Sequence, residues 1–364
     1  MAKKKQKTRS ERCGMVFVAM SGGVDSSVAA ALLKRDGFRV VGVYMKCWTE
    51  GPECTSTDDE RSARLAAAHL QIPFYVWNFV DEYRQRVVDY MLKGYKEGVT
   101  PNPDMMCNRE IKFGLFFEKA MNLRADSIAT GHYARIGRKG DYFQILKGKD
   151  PEKDQSYFLS FIKPNVLSKV LFPIGEYTKK QVREMARRFG LPNAERKGTR
   201  GICFVGNVEI EEFLRRYIPP KEGSIVDTNG KTLGVHEGAF YFTIGQRRGI
   251  KLPGGPYYVI AKDIPSNTLV VSKEQDDIFK NEVQLERMNW FVAKDIPLHQ
   301  SVSVKVRYRQ EDVLARVERK EGGFWVLQLA KPERAITPGQ FAVLYQGDVL
   351  IAGGVIGGRE KEID

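Results

Sequence analysis

No stretch of this chain stays apolar for the ~20 residues that a membrane-spanning helix needs, although 42% of its 364 residues are hydrophobic. That excludes a helical membrane protein and leaves enough apolar side chains for globular cores. The length exceeds what one core usually serves, so two or three domains are expected. The basic start, Met1-Ala2-Lys3-Lys4-Lys5-Gln6-Lys7-Thr8-Arg9, lacks the apolar core and cleavage site of a signal sequence, and it reads as a tail. Cysteine is scarce: five residues, an odd and scattered number, which speaks against a secreted disulfide scaffold and suits a reducing cytoplasm. Cys47 and Cys54 have no second pair or nearby histidine to complete a zinc set. They and Cys13 read as ordinary thiols. Acidic residues are the minority, 45 against 58 Lys and Arg, for a net charge of +13. That balance favours a polyanionic partner, and with no lipid-binding amphipathic helix in view the partner is nucleic acid rather than a membrane. There is no internal repeat and no low-complexity linker.

What is present centres on Ala19-Met20-Ser21-Gly22-Gly23-Val24-Asp25-Ser26-Ser27. The apolar run Met15 to Met20 enters it as a buried strand, and Val24, Val28, Ala31 and Leu32 leave it at helical spacing. Strand, glycine-rich turn and helix together make an anion site: backbone N–H groups and the helix N-terminus face the ligand. Ser21, Ser26 and Ser27 add hydroxyls. Asp25 beside phosphates implies Mg²⁺ between them, brought with ATP rather than held permanently. The Gly-x-x-x-x-Gly-Lys-Ser/Thr nucleotide loop is absent, since no lysine follows the glycines. Ser-Gly-Gly-Val-Asp-Ser-Ser instead resembles the pyrophosphate loop of enzymes that cleave ATP between its α and β phosphates.

Along the chain, strands are expected at 39–45, 73–77 and 126–130, with helices near 58–70, 82–95, 179–189 and 209–217. Strand–helix alternation predicts a multidomain α/β plus β protein, led by a Rossmann-like parallel-sheet nucleotide domain. Ligands of such a sheet sit beyond the strands' carboxyl ends, which places the Ser21 turn, Met45 and Gly131-His132 around one crevice. After Pro219-Pro220 the texture becomes all-β, with strands expected at 240–244 and 257–260. Val302, Val304, Val306 and Tyr308 alternate with Ser303, Lys305, Arg307 and Arg309, predicting a half-buried strand with a basic outer face suited to a nucleic-acid backbone. Tyr308 falls on its apolar side. Hairpins at 313–329 and 341–352 complete a small C-terminal barrel.

Two cysteines stand apart from the rest. Cys107 follows Thr100-Pro101-Asn102-Pro103-Asp104, with Asn108 as a candidate helix N-cap, so the thiol is expected just ahead of a helix N-terminus where a thiolate is stabilised. Asp104, three residues earlier, can act as a general acid or base. Cys203 follows Arg196, Lys197 and Arg200, whose charge lowers a thiol's pKa. Gly198 and Gly201 lend its segment mobility.

Together these motifs resemble the bacterial tRNA-specific 2-thiouridylases, over almost the whole chain. The resemblance rests on Ser21 to Ser27, Asn102-Pro103-Asp104-x-x-Cys107-Asn108, Gly131-His132-Tyr133-Ala134 and Lys153-Asp154-Gln155-Ser156-Tyr157-Phe158-Leu159. It continues through Gly201-Ile202-Cys203-Phe204, Thr243-Ile244-Gly245-Gln246-Arg247-Arg248-Gly249, Val306-Arg307-Tyr308 and Thr337-Pro338-Gly339-Gln340. It implies a basic tail over 1–13, a catalytic domain over 14–217, a central β-rich domain over 218–284 and a tRNA-binding β-barrel over 285–364. It implies ATP on Ala19, Met20, Ser21, Gly22, Gly23, Val24, Asp25, Ser26, Met45 and Gly131. The target base falls at Asn102, Pro103 and Asp104, and further tRNA contacts at His132, Lys153, Asp154, Gln155, Arg307, Tyr308 and Gln340. In the implied reaction, AMP is placed on O2 of the wobble uridine, and a persulfide on Cys203 brings the sulfur. Cys107 is the nucleophile that releases it, ending in a Cys107–Cys203 disulfide, and Asp104 moves protons. A cysteine desulfurase or sulfur relay protein is the implied donor, tRNAs of the Lys, Glu and Gln type the substrates, and a cytoplasmic monomer the form. Two other readings remain at this stage: a pyrophosphate-loop ligase of small carboxylates, and an iron–sulfur cluster on Cys107 and Cys203.

Overall fold

Val16 and Val18 expose no surface at all, and a strand covered on both faces belongs in the middle of a parallel sheet. In the computed structural model that strand, β1 (Met15–Ala19), is central. β2 (Arg39–Lys46) and β3 (Phe74–Asn78) lie to one side, and β4 (Ser127–Ala129) to the other. A hairpin of β5 (Ala134–Lys139) and β6 (Tyr142–Lys147) follows β4, and β7 (Val170–Leu171) then closes the order β3-β2-β1-β4-β7. All four pairings are parallel, with Val16 opposite Val40 on one flank and Ser127 on the other. Residues 14–51, 54–197, 209–291, 301–321 and 323–357 are described. Cys13, the basic tail and Cys203 lie outside them.

The chain divides into two units that interleave in sequence: Met1–Val87, Asp104–Asn207 and Asp348–Leu350 form one, and Val88–Pro103, Val208–Gly347 and Ile351–Asp364 the other. In the first, α1 (Val24–Arg35), α2 (Ser56–His69) and α3 (Lys179–Arg188) pack on the sheet. Their apolar sides, including Val28, Leu32, Ala63, Ala67, Val182 and Ala186, join Val16, Val18 and Tyr44 in one core. Thr178 caps α3 with a full capping box: its hydroxyl accepts from the Gln181 N–H while Gln181 Oε1 accepts from the Thr178 N–H. This is the Thr-x-x-Gln signature of a helix start.

One local expectation is overturned. Cys107 does not precede a helix; helical structure already begins at Pro103, runs through Met106, widens into a π-type stretch over Cys107–Leu115 and returns to α over Phe116–Asn122. Proline is at home in a helix's first turn, where its missing N–H costs nothing. Asn108 therefore caps nothing, and its Nδ2 donates instead to the Phe158 carbonyl at 3.1 Å. The argument for a thiolate at a helix N-terminus lapses with it.

In the second unit, β8 (Gly223–Val226), β9 (Thr232–His236), β10 (Tyr258–Asp263) and β11 (Thr268–Ser272) form a four-stranded sheet, order β10-β11-β8-β9. The strand expected at 240–244 is instead a 3-10 turn, Ala239–Tyr241, whose Ala239 and Tyr241 are buried. A short apolar run does not distinguish the two by itself. The remainder is a closed six-stranded barrel of β12 (Phe279–Trp290), β13 (Ser301–Lys305), β14 (Val313–Arg319), β15 (Trp325–Arg334), β16 (Phe341–Gln346) and β17 (Val349–Ile356). The order is β12-β15-β14-β13-β16-β17, and β12 pairs with β17 to close it. Closure removes the exposed strand edges that invite aggregation. Val302, Val304, Ala315, Val317 and Leu327 fill the interior. β13 ends at Lys305, earlier than the alternation predicts, and Val306 to Arg309 form a bend in which Arg309 has φ +63°.

Candidate active site

The turn after β1 is held from behind. The Gly22 carbonyl accepts from Ser62 Oγ at 2.7 Å, Asn193 Nδ2 at 2.9 Å and Arg196 Nη1 at 3.3 Å. A planar peptide points its N–H opposite its C=O, so pinning this oxygen turns the Gly23 N–H the other way. Gly22 has φ +79°, and a Cβ there would lie 2.3 Å from the Asp59 carbonyl oxygen, so only glycine fits. Gly131, after β4, comes equally close to the loop: its Cβ would lie 2.6 Å from the Ser26 nitrogen. Met45, on β2, is buried. The hydroxyls of Ser26 and Ser27, expected to face an anion, both donate to the Gly23 carbonyl at 3.1 Å and fix the turn instead. Ser21 is the exposed hydroxyl of the three.

Asp25, in the first turn of α1, is the polar centre. Lys179 Nζ lies 2.6 Å from Oδ1 and 2.8 Å from Oδ2, and the Tyr133 hydroxyl donates to Oδ1 at 2.8 Å. Burial, followed by the Asp25 charge, pushes the Tyr133 phenol far above its ordinary range, so it stays a donor. The loop itself contains no lysine, but the fold supplies one from the start of α3, 154 residues away. These bonds also test Asp25 as a Mg²⁺ ligand. Both its oxygens are engaged, and no cluster of three or more His, Cys, Asp or Glu occurs among the described residues. As arranged, Asp25 does not offer an open position to a metal.

Cys107 has no exposed surface, and Asp104 is half-buried one helical turn before it. Nearby in the same unit, His132 sits between the rings of Phe113 and Phe172, both 5.9 Å away, and its Nδ1 lies 2.7 Å from Thr130 Oγ1. Burial first, then the Lys112 charge, holds its pKa well below the usual value, so the imidazole is neutral.

With this geometry in place, the chain can be set beside known proteins. Three family models match consecutively: a tRNA methyl transferase HUP domain over residues 14–207, a tRNA methyl transferase PRC-barrel domain over 211–273 and an aminomethyltransferase β-barrel domain over 280–356. The tRNA-specific 2-thiouridylase MnmA 1 of Geobacillus kaustophilus is 45% identical over 94% of this chain and 95% of its own. The tRNA-specific 2-thiouridylase MnmA of Lysinibacillus sphaericus is 43% identical over 96% of each. The chain belongs to the tRNA-specific 2-thiouridylase family. Among solved structures, a 4-thiouridine synthetase–RNA complex with bound ATP overlaps at a TM-score of 0.34 and 15% identity, over 57% of this chain and 50% of that one. That overlap is too loose to say anything of function.

The tRNA contacts that membership in the thiouridylase family suggests fall at residues already engaged within the chain. Asp154 is buried and accepts from the backbone N–H groups of Gly148 and Ser156. Gln155 accepts from the Tyr133 N–H and donates its own N–H to the Tyr133 carbonyl. Lys153 is half-exposed on the same loop. In the second unit, Arg307 Nη2 donates to the carbonyls of Arg334 and Ala335, each at 3.1 Å. Lys305 faces Asp312 at 3.5 Å, and Arg309 lies over the half-buried Tyr308 ring, so the expected free basic strand face is partly neutralised. Gln340 Nε2 donates to the Thr100 carbonyl at 2.8 Å, and its Oε1 accepts from Asn102 at 3.4 Å.

Sequence reasoning missed Lys179, Tyr133 and Asn193 as loop partners, and it read Arg196 only as a charge near Cys203. Arg196 is committed to Asp59 at 2.6 Å. The one signal that could have found Lys179 was the Thr-x-x-Gln box, which places it in the first turn of a helix after a sheet strand, where such folds meet their ligands.

Proposed function

We propose that the chain is an ATP-dependent sulfurtransferase that converts the wobble uridine of tRNA to 2-thiouridine. The observation that carries this reading is the pinned Gly22-Gly23 turn at the end of β1, an anion cradle in the unit that also holds Cys107. Methyl transfer, the word in the names of two of the family models, calls for neither an ATP-type loop nor paired thiols.

A carbonyl oxygen at C2 is a poor leaving group. Attack of O2 on the α-phosphate of ATP releases pyrophosphate and leaves AMP on that oxygen, while N–H groups of the turn stabilise the charge on the phosphates. Mg²⁺ arrives on the nucleotide's own phosphates. The terminal sulfur of a Cys203 persulfide then attacks C2 and AMP departs. Cys107 attacks Sγ of Cys203, leaving the sulfur on the base and a Cys107–Cys203 disulfide that a cellular thiol reduces. Asp104 carries the protons. The sulfur comes from a cysteine desulfurase or a relay protein. The acceptors are tRNAs of the Lys, Glu and Gln type, and the enzyme works as a cytoplasmic monomer. Asn102 to Asp104, His132, Lys153 to Gln155, Arg307, Tyr308 and Gln340 are its proposed tRNA-side residues; those that spend their polar groups internally act on tRNA through the loops they hold.

The test is thiolation of unmodified tRNA with ATP, Mg²⁺ and a sulfur donor, read by mass spectrometry of the wobble nucleoside. Cys107→Ala and Cys203→Ala are each expected to lower turnover at least ~10³-fold, the scale of losing a covalent participant. Full turnover in both variants would end this mechanism. A visible charge-transfer band in anaerobically purified protein would favour the cluster instead.

A further inference from the structure

We propose that Lys179 is the phosphate-facing cation of the ATP site and that Asp25 serves as its anchor rather than as a metal ligand. The inference rests on the ATP reading of the loop. An ammonium group has three N–H donors. Two of those of Lys179 are accounted for by Oδ1 and Oδ2 of Asp25, at 2.6 and 2.8 Å, which leaves the third for a ligand. The pair is only partly covered, with 23% of the Lys179 side chain and 32% of the Asp25 side chain exposed, so a ligand can reach it.

The position of Lys179 is built, not incidental. Its backbone N–H donates to Asp150 Oδ2 at 2.8 Å, and Asp150 is itself buried. The Thr178–Gln181 capping box fixes the first turn of α3 around it. Tyr133 holds the other side of Asp25 and places its ring 5.8 Å from the ammonium. A carboxylate in the first turn of α1 would repel phosphates from the cradle it helps to form. Paired with Lys179, it is neutralised and holds a positive group at the mouth of that cradle. The sequence lacks the lysine that other nucleotide loops carry a residue or two past their glycines; here the fold brings one in from another helix.

The experiment is calorimetric titration of the full chain with ATP and with AMP, each with Mg²⁺ and with EDTA. Lys179→Met is expected to weaken ATP binding about 10- to 100-fold, the range of one lost charge-assisted hydrogen bond, while AMP binding changes less than about threefold, since an isolated charge acts on the terminal phosphates. Lys179→Arg is expected to keep most of the ATP affinity. Asp25→Asn is expected to weaken ATP binding by the same factor in Mg²⁺ and in EDTA. The proposal is overturned if Lys179→Met binds ATP as the parent does, if it loses ATP and AMP equally, or if Asp25→Asn loses affinity only in Mg²⁺. Should Lys179→Met fail to fold, the Asp25→Asn pair of titrations decides alone. A parent chain that does not bind ATP would instead overturn the ATP reading on which the proposal stands.

Discussion

Asp25 and Gln340 are both polar side chains that sequence reasoning assigned to a ligand, and both already have partners in the chain. The partners differ in kind. Those of Asp25 are the ends of two side chains, Lys179 and Tyr133, which can turn or trade one acceptor for another. The amide of Gln340 donates to a backbone carbonyl, that of Thr100, and the Thr100 N–H donates to the Pro338 carbonyl beside it. Backbone groups cannot move without moving the chain. The nucleotide-loop end of the parallel sheet is thus an exchangeable polar centre, while the turn at 337–340 is a fixed clasp on the segment that carries Asn102. Similar residue types do opposite work because one set spends its hydrogen bonds on side chains and the other on main chain.

The comparison breaks first at Gly22. Gly22→Ala places a Cβ against the Asp59 carbonyl at a positive φ, where an ordinary residue costs about 1–2 kcal/mol before any clash. Loss of tRNA-dependent AMP formation by ~10²-fold or more is expected, read as AMP released per enzyme. An active Gly22→Ala would mean the cradle is softer than its three pins suggest.

Gln340→Ala tests the fixed clasp. Losing its bonds to Thr100 and Asn102 should cost about 1–3 kcal/mol of stability, seen as a lower denaturation midpoint. The salt dependence of tRNA binding should stay unchanged, because an amide releases no counterions. A weaker tRNA affinity with no loss of stability would make Gln340 a direct contact and break the comparison from the other side.

The smallest effect expected is that of His132. Its pKa is lowered in the folded chain, so below its ordinary value of 6.5 the unfolded chain binds the extra proton. Stability is therefore intact above pH ~6.5 and falls as pH drops below it, by at most about 1.4 kcal/mol per pH unit. His132→Asn should flatten this slope in denaturation midpoints between about pH 6.5 and 5. An unchanged slope would mean that another group carries it.

Much of the first unit was legible in advance. Strands at 39–46, 74–78 and 127–129 lie within a residue or so of expectation, because covered strands and amphipathic helices write their burial into the order of side chains. The loop was legible for the same reason: glycine at a positive φ is a local requirement. Misread were the segments where local pattern and tertiary demand diverge. The apolar residues at 239–242 fill the interior from a 3-10 turn, and the alternation through Tyr308 outruns a strand that bends after Lys305. Asn108 looked like a cap because nothing in the sequence says that Pro103 already starts the helix.

By itself, then, the sequence determined the Rossmann-like class, the closed barrel, the anion loop and the two unusual cysteines, since each follows from periodicity or from what a few adjacent residues allow. Only the tertiary structure decided where the hydrogen bonds go. Lys179 meets Asp25 across 154 positions, and Gln340 reaches Thr100 across 240. Such pairs depend on which strands become neighbours and how the chain returns, and no local pattern encodes a partner chosen by packing.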